Sequence, residues 1–564
     1  MDTPVSPNII LNPTDEQRHE MLRNSLISVG RPEDYDNIIR LLSPPPDITN
    51  FADVGELKGV TVGIIGGGMA GLTAAFELRK LGFNIKIIDS LPNRVGGRVY
   101  TYYFDEQKTL FGELGPMRIP VSHETTWYYL NLFGLNTFPF IAPGIENFLY
   151  VRNTRMRQSS ENITRLLYPK YMLTATESAT PWNELNNYAF NYPLTQLSPE
   201  VRTELLRILP TYSPEYLAYI NMSVRDAFES LGLSQEAISL ISGVDSATGA
   251  LLDISYDEIL QEVYSLDFLN LYRVEGGMSN FPGAFYRSLT SPNPPEYPGI
   301  PPEMLGEITY LSGYTVNGIF QNSVNGNVIL RYRSQADGQD TTEEFEYVVC
   351  AIPYSSLRVI EINPNFSVRK MQAILEYNYL DAQKTLFLCN HRFWEMNADY
   401  GRMNGGISFT DLPIQSIIYP SDHVVCSSPE TCSPELPGVL NASYNLNLNA
   451  VRVGNLNEAR RIELVKRNVE QVHGLPIGYL DNTITAYRTI DWNSSENFLG
   501  AFALAGPGQK YLFDYYNQIP EYNYRIYIAG EHASVKHGWM QGALYTGKSA
   551  ANALATNARQ RKYS

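Results

Sequence analysis

The fold is decided by the stretch Val60-Thr61-Val62-Gly63-Ile64-Ile65-Gly66-Gly67-Gly68-Met69-Ala70-Gly71. A β-branched run meets glycines at the spacing G-x-G-x-x-G, through Gly66, Gly68 and Gly71, and a helical pattern follows from Met69 to Leu81. The first glycine permits a tight turn, the second lets backbone amides approach a pyrophosphate, and the third lets the helix pack closely on the strand. Because a helix N-terminus also favours anions, the stretch predicts a phosphate-binding turn between a strand and a helix.

An acidic residue follows this turn at the end of the next strand. Asn84 to Ile88 is a second apolar run that ends at Asp89, eighteen residues beyond the last glycine, and Ser90 follows it. A carboxylate at that position accepts hydrogen bonds from the ribose hydroxyls of an adenosine. The two strands and their helix span about thirty residues, as a parallel βαβ crossover requires. The sequence therefore predicts a dinucleotide-binding α/β unit, with NAD and FAD both open as ligands.

Bulk composition limits the domain count and the partners. The chain of 564 residues exceeds the size at which one hydrophobic core keeps growing, so two or three domains are expected. Its 59 acidic residues outnumber its 43 Lys and Arg, for a formal net charge of -16, and no run of five basic residues occurs. Nucleic acid and anionic membranes are therefore not expected as partners. A negative field could favour cationic substrates, although such an excess more often serves solubility.

Three further features of the sequence concern the cellular compartment, membrane insertion and disulfide formation. Residues 1–18 lack a basic head followed by an apolar core, so we expect no signal peptide and a cytoplasmic protein. Gly59 to Phe76 is 18 residues without a charge, but six are glycines and the phosphate motif lies within it, so we predict no membrane span. The four cysteines are too few for a disulfide framework, and Cys426 and Cys432 share a loop in which they either pair or remain thiols.

Hydrophobic periodicity divides the rest of the chain. From Thr125 to about Leu260, apolar residues recur three and four apart, which predicts a mainly helical region. Strand-like segments return at Val328–Tyr332 and Phe345–Ile352. A last strand at Tyr524–Ala529 precedes a final helix that we predict from Trp539 to about Leu554. The chain is thus expected to contain a mainly helical region as well as strands.

A second glycine element distinguishes the two cofactors. Seven residues beyond Asp89 lies Gly96, the first glycine of Asn93-Arg94-Val95-Gly96-Gly97-Arg98-Val99. This segment resembles the double-glycine motif of the flavin monoamine oxidase family. The resemblance implies FAD, with Gly97 and Arg98 beside the diphosphate. The resemblance extends from about Val60 to Leu554. Within the family, the sequence resembles microbial L-glutamate and L-amino-acid oxidases most closely.

The resemblance implies an α/β fold in three parts. These are an FAD-binding Rossmann-like domain of the double-glycine flavoprotein type, a mixed-sheet substrate domain and an inserted helical domain. We expect a discontinuous FAD-binding domain at 55–122, 270–355 and 480–564, and a mainly helical domain at 123–265. The substrate-binding domain is expected at 356–479, with residues 1–54 packed on it. A homodimer or higher homo-oligomer is also expected.

The segment Gly115-Pro116-Met117-Arg118-Ile119-Pro120 resembles the part of L-amino-acid oxidases whose arginine binds the substrate carboxylate. An arginine fork matches a carboxylate in a bidentate manner, which lysine cannot do. The resemblance also places Gly115, Pro116 and Met117 at the cofactor. The alternative is that Arg118 only pairs with a structural carboxylate.

Other site residues follow from the same resemblance. Lys384 matches the family lysine that holds a water against flavin N5, the alternative being an exposed lysine on a sheet edge. Trp539 would form one wall of an aromatic slot around the substrate amine and α-carbon. The remaining cofactor contacts are implied at Met69, Ala70, Arg118, Val316 beside the adenine, Gly530, Glu531 on the ribityl chain, Gly538, Trp539 and Met540. Because His532 and His537 lack the spacing of a helical ligand pair, we predict no metal site.

The pocket for the substrate's side chain is implied at Phe502, Tyr264 and Phe268. Such aromatic walls favour larger neutral L-amino acids. Glu262 and Glu496 leave a specialist for L-arginine or L-lysine as the alternative, and the two are nearly exclusive because an unpaired buried carboxylate rejects apolar side chains.

The function that the resemblance implies is an FAD-dependent L-amino-acid oxidase. In that chemistry the substrate's α-carbon gives a hydride to flavin N5, the imino acid hydrolyses to a 2-oxo acid and ammonia, and molecular oxygen is reduced to hydrogen peroxide. Three alternatives stay open: an L-amino-acid 2-monooxygenase, an amine oxidase without the carboxylate requirement, and a non-catalytic dinucleotide-binding protein.

Overall fold

The computed structural model describes residues 10–423 and 429–563. At its centre lies a five-stranded sheet in which every strand is parallel to its neighbours. Its strands, in spatial order, are Ile308–Ser312, Asn84–Asp89, Thr61–Ile65, Tyr347–Cys350 and Ile526–Ile528. The predicted βαβ unit is confirmed, since the helix Met69–Arg79 connects the second and third strands of that order.

Close packing around the first helix explains one glycine of the motif. All residues of the helix Met69–Arg79 are buried, because the sheet covers one side and the final helix packs along another. A Cβ at Gly71 would lie 2.0 Å from the carbonyl oxygen of Gly66, and a Cβ at Gly547 would lie 2.4 Å from that of Ala70. Glycine at these two positions therefore lets the helix approach the glycine turn on one side and the final helix on the other.

A second large sheet has seven strands and carries Lys384, one of the predicted site residues. Its strands, in spatial order, are Ile484–Asp491, Ala382–Cys389, Gly438–Leu446, Ser416–Ile418, Ile407–Thr410, Phe148–Val151 and Thr154–Arg157. The last two lie within the region predicted to be mainly helical, so that prediction is wrong at residues 148–157. Arg152 and Asn153 both have positive φ there and close a two-residue hairpin.

The remaining strands form four smaller sheets. A four-stranded sheet consists of Asp340–Phe345, Val328–Ser334, Tyr314–Gln321 and Glu361–Asn363. The others are Ile119–Pro120 with Leu271–Val274 and Thr137–Phe140, Thr101–Tyr103 with Phe111–Glu113, and Tyr379–Leu380 with Phe502–Ala503. These short pairings hold the loops that carry the predicted site residues against the two large sheets.

Helices occur along the whole of the described chain. Those of eight or more residues are Asp15–Ser28, Tyr35–Leu42, Met69–Arg79, Glu124–Leu132, Trp182–Phe190, Gln235–Val244, Tyr256–Tyr264, Asn280–Thr290, Val368–Glu376, Asn447–Gly454, Glu458–His473 and Met540–Lys562. The final helix continues eight residues beyond the predicted end, with basic residues in the last turn that interact favourably with its dipole. None of the helices in residues 10–423 and 429–563 combines the length and apolar character that crossing a membrane requires.

The N-terminal segment packs differently from the expectation. Its buried arginines need acceptors, and they find them in the helical region instead of in residues 356–479. Arg18 donates to Glu124 Oε1 at 2.6 Å, and Arg31 donates to the carbonyl of Tyr264 at 3.1 Å. The prediction that residues 1–54 pack on the substrate-binding domain is therefore wrong for the contacts of Arg18 and Arg31. The domain boundaries themselves stay a prediction, and Cys426, named above as a pairing partner of Cys432, lies outside the described residues.

Candidate active site

A single cavity of about 820 Å³ lies where the parallel sheet, the seven-stranded sheet and the helical region meet. Most residues that the sequence analysis assigned to a cofactor or substrate line this cavity. They are Gly66, Gly68, Met69, Ala70, Asp89, Ser90, Gly97, Arg98, Gly115, Pro116, Met117, Arg118, Phe268, Val316, Lys384, Phe502, Gly530, Glu531, Gly538, Trp539 and Met540. Gly71 lies behind the cavity wall, where it serves the packing described above, and Tyr264 does not line the cavity.

The glycine turn forms a cradle with the chemistry that a dinucleotide needs. The Gly67 N–H and the Leu91 N–H donate to the two oxygens of Asp89, at 2.5 and 2.8 Å. A Cβ at Gly68 would meet no protein atom within 4 Å, so the backbone there is open to the cavity. Burial raises the pKa of Asp89. The open glycine, the buried carboxylate and the start of a helix together fit the adenosine and diphosphate of a dinucleotide.

The second glycine element is fixed by an ion pair at the cavity edge. Arg98 Nη1 lies 2.7 Å from Glu531 Oε1 and also donates to the carbonyl of Ala501 at 2.9 Å. Glu531 accepts further hydrogen bonds from the N–H groups of Ala503 and Gly538. This carboxylate therefore joins the double-glycine element to the turn that precedes the final helix.

Arg118 lines the cavity, where two aromatic rings of the described chain are its neighbours. Its guanidinium carbon lies 4.9 Å from the ring centre of Phe268 and 5.9 Å from that of Trp539. Among the described residues none accepts a hydrogen bond from Arg118 or forms an ion pair with it, so the alternative of a structural carboxylate partner is wrong. Burial lowers its pKa, while Tyr444 and Glu262 act in the opposite direction. A desolvated, unpaired guanidinium of this kind is suited to bind an anionic group of a ligand.

Sequence reasoning missed Tyr444, which lines the cavity beside Arg118. Burial raises its pKa to about 12, and the nearby Arg118 acts in the opposite direction. Tyr444 lies directly across from Lys384 in the seven-stranded sheet. Its role was invisible in the sequence because it depends on strand register, which no local motif near residue 444 specifies.

Lys384 lies in an interior strand of the seven-stranded sheet and is only 3% exposed, so the alternative of an exposed edge lysine is wrong. Its ammonium donates to the carbonyls of Gly115 at 2.6 Å and Glu113 at 3.3 Å, and it lies 4.5 Å from the ring centre of Tyr444. Burial lowers the pKa of Lys384 to about 7. Burial also raises the pKa of Glu113 to about 7. A buried lysine that titrates near neutrality marks a functional site more often than a scaffold position.

The turn before the final helix is joined to the helical region and the loop after it by polar contacts of three residues, Lys536, His537 and Trp539. Lys536 Nζ lies 2.6 Å from Asp267 Oδ2, and His537 Nδ1 lies 2.7 Å from Glu258 Oε1. Burial alone would lower the pKa of His537, but the carboxylate of Glu258 outweighs it and raises the pKa to about 9. Trp539, predicted as a wall of the slot, donates from Nε1 to Glu262 Oε1 at 2.9 Å.

The side-chain pocket was predicted in part. Phe268 and Phe502 line the cavity, and so do Glu262 and Glu496. Tyr264 is fully buried on the opposite face of its helix, where Arg31 lies 5.7 Å from its ring centre. The reason is helical periodicity, since the residues of that helix that line the cavity are Glu258, Ile259, Glu262 and Val263.

Within residues 10–423 and 429–563, no group of three or more His, Cys, Asp or Glu side chains is placed to hold a metal ion. His537 and Glu531 serve the ion pairs described above instead.

Comparisons with known proteins identify the family of the chain. The family profile described as flavin-containing amine oxidoreductase matches residues 69–555. A Bacillus subtilis protein named as an L-amino-acid oxidase, YobN, is 28% identical over 86% of this chain and 92% of its own. An L-amino-acid oxidase of the fish Siganus canaliculatus is 25% identical over 95% of this chain and 91% of its own.

Solved structures give the same fold. A putrescine oxidase superposes with a TM-score of 0.64 at 17% identity, over 87% of this chain and 98% of the other. The cyclohexylamine oxidase of Brevibacterium oxydans superposes with a TM-score of 0.61 at 16% identity, over 88% and 99%. At these identities the structural likeness establishes the fold, an α/β fold shared with these amine oxidases.

Proposed function

The chain belongs to the family of flavin-containing amine oxidoreductases and uses FAD, and from that premise we propose that it is an L-amino-acid oxidase. The observation that carries the proposal is Arg118, whose guanidinium lines the cavity and forms no ion pair with any described residue. A substrate without a carboxylate would leave this charge uncompensated, whereas an amino acid supplies its partner. The relatives named as L-amino-acid oxidases support the same substrate class.

The residues of this chain bind and orient the substrate. Arg118 receives the carboxylate, and the rings of Trp539 and Phe268, with centres 6.0 Å apart, flank the arginine and limit where the α-carbon can lie. Such orientation can supply about 7 to 11 kcal/mol of the barrier at its upper limit. When bound along the glycine turn, Asp89 and Glu531, FAD would supply the redox chemistry in which the α-carbon loses a hydride and molecular oxygen is reduced. The products would be hydrogen peroxide and an imino acid that hydrolyses to a 2-oxo acid and ammonia.

Lys384, which is buried and lines the cavity, is proposed to act on the oxygen half of the reaction. Changing it to methionine, of similar length, is expected to slow reoxidation of the reduced enzyme by on the order of 10²-fold, because the charge that stabilises an anion developing on oxygen is lost. Reduction by the amino acid should change far less. Stopped-flow measurement of the two half-reactions checks this, and equal slowing of both would make Lys384 a structural residue.

The preferred substrates are proposed to be larger neutral L-amino acids. Phe268 and Phe502 supply apolar walls, and burial raises the pKa of Glu262 to about 7, so its carboxyl group carries less charge near neutrality than an exposed one. We expect kcat/KM for leucine, methionine and phenylalanine to exceed that for glutamate. The test is a kcat/KM panel that also contains glutamine, lysine and arginine, with assay of peroxide, oxo acid and amide products.

Two results of this panel would change the proposal. A preference for arginine or lysine over every neutral substrate by more than roughly 100-fold, about 2.7 kcal/mol, would identify a basic-amino-acid oxidase instead. An amide with loss of carbon dioxide as the main product would identify a 2-monooxygenase.

A further inference from the structure

Glu262 is a carboxyl group in the substrate cavity that substrate binding by Arg118 does not use. It lies on the helix Tyr256–Tyr264 and faces the cavity. One of its oxygens, Oε1, accepts the indole N–H of Trp539 at 2.9 Å. No described residue donates to the other oxygen, Oε2, so that half of the carboxylate is free to meet a ligand.

Glu262 and Arg118 both approach Trp539 but do not pair with each other. The guanidinium carbon of Arg118 lies 5.9 Å from the ring centre of the indole whose N–H donates to Glu262. Glu262 counteracts the fall in the pKa of Arg118, yet the described residues contain no ion pair between the two side chains. An α-amino acid is a zwitterion whose carboxylate and ammonium groups are attached to one carbon atom. A guanidinium and a carboxylate that lie close together, each with free hydrogen-bonding capacity, are the complement of that zwitterion.

We infer that Glu262 accepts a proton from the substrate's α-ammonium group, with Arg118 holding the adjacent carboxylate. In this step an N–H bond of the substrate's ammonium group breaks and an O–H bond forms on Glu262. The substrate's amino group becomes neutral, and the side chain of Glu262 becomes a carboxylic acid. The inference rests on the proposed function. It matters because the amine lone pair must be free before the α-carbon can lose a hydride.

The charges around Glu262 suit this role. Burial raises its pKa to about 7, and the neighbouring Asp267 acts in the same direction. A carboxyl group that titrates near the working pH is an efficient general base. The titratable and charged groups that face it are Glu258 on its own helix, Asp267 on the following loop, Lys536 on the turn before the final helix, and Arg118 and Tyr444 on the opposite wall.

The contact with Trp539 allows a clean substitution. In Glu262→Gln the amide oxygen can still accept the indole N–H, so the tryptophan stays in place while the ionisable group is lost. Glu229→Gln, at an exposed glutamate of the same helical region, is the matched control. Flavin content and the melting temperature of both holoenzymes are measured first.

The test is the pH profile of kcat/KM with L-leucine and L-lysine, for wild type and both variants. In the wild type we expect kcat/KM to rise with pH through about 7, because Glu262 is ionised above its pKa. In Glu262→Gln we expect a loss of about 10²-fold at neutral pH for both substrates. Activity should recover at higher pH, where the substrate's own ammonium deprotonates. Glu229→Gln should behave as the wild type does.

Three outcomes would overturn the inference. These are a Glu262→Gln profile that matches the wild type, a loss confined to lysine with leucine unaffected, and a wild-type profile whose inflection follows the ammonium pKa across a series of substrates. The last needs no variant and decides the matter even if Glu262→Gln does not fold. A wild-type holoenzyme that no L-amino acid reduces would refute the proposed function itself, which is a distinct result.

Discussion

Arg118→Ala is expected to lower kcat/KM for L-amino acids by on the order of 10²-fold or more. The substitution removes one partner of a buried charge pair and leaves the substrate's carboxylate desolvated, which costs about 2–5 kcal/mol. The fold should not change, because Arg118 makes no hydrogen bond or ion pair with any residue in the described ranges, and rates are normalised to the flavin content of each protein. Steady-state oxygen consumption with a neutral amino acid measures the effect.

Arg118→Lys is the matched control for this prediction. It keeps the positive charge but loses the planar fork that binds both carboxylate oxygens, so an intermediate loss is expected. If Arg118→Ala retained the wild-type kcat/KM, the carboxylate would be bound elsewhere and the assignment of Arg118 would be wrong.

Gly68→Val is expected to yield a folded protein without flavin, and therefore without activity. A Cβ at Gly68 has no protein atom within 4 Å, so the valine fits the protein but projects into the space where the backbone must approach the diphosphate. The purified variant should lack the flavin absorption band at about 450 nm that the wild type shows. Thermal unfolding should remain cooperative.

Gly71→Val separates loss of the cofactor from loss of the fold. A Cβ at Gly71 would lie 2.0 Å from the carbonyl oxygen of Gly66, so this valine must displace the helix from the sheet. We expect Gly71→Val to be insoluble or strongly destabilised, in contrast to Gly68→Val. A yellow, fully loaded Gly68→Val protein would contradict the placement of the diphosphate.

The sequence predicted the dinucleotide unit well because local rules determine it. A β-branched run, glycines at fixed spacing and an acid at the next strand end specify the turn between Thr61 and Asp89 without reference to distant residues. The hairpin at residues 148–157 was missed because its strands have four residues each and join through Arg152 and Asn153. That turn lacks the Asn-Gly signal that usually reveals a tight hairpin.

The site residues were predictable to the extent that short motifs carry them. Arg118, Lys384 and Trp539 lie in such motifs, and all three line the cavity. Tyr444 was missed because strand register places it there. The prediction for Tyr264 was wrong because Tyr264 lies on the opposite face of its helix from Glu262, which does line the cavity. Ion pairs such as that between Lys536 and Asp267 join segments about 270 residues apart, which no sequence pattern reveals.

The most direct test of the central claim is anaerobic mixing of the purified holoenzyme with an L-amino acid and with the amine that remains when its carboxylate is removed. L-leucine and 3-methylbutylamine form such a pair, and loss of the flavin absorption band reports reduction. We expect L-leucine to bleach the enzyme and the amine to leave it yellow on the same timescale, because only the amino acid engages Arg118. Equal bleaching by both compounds, or none by any L-amino acid, would contradict the account.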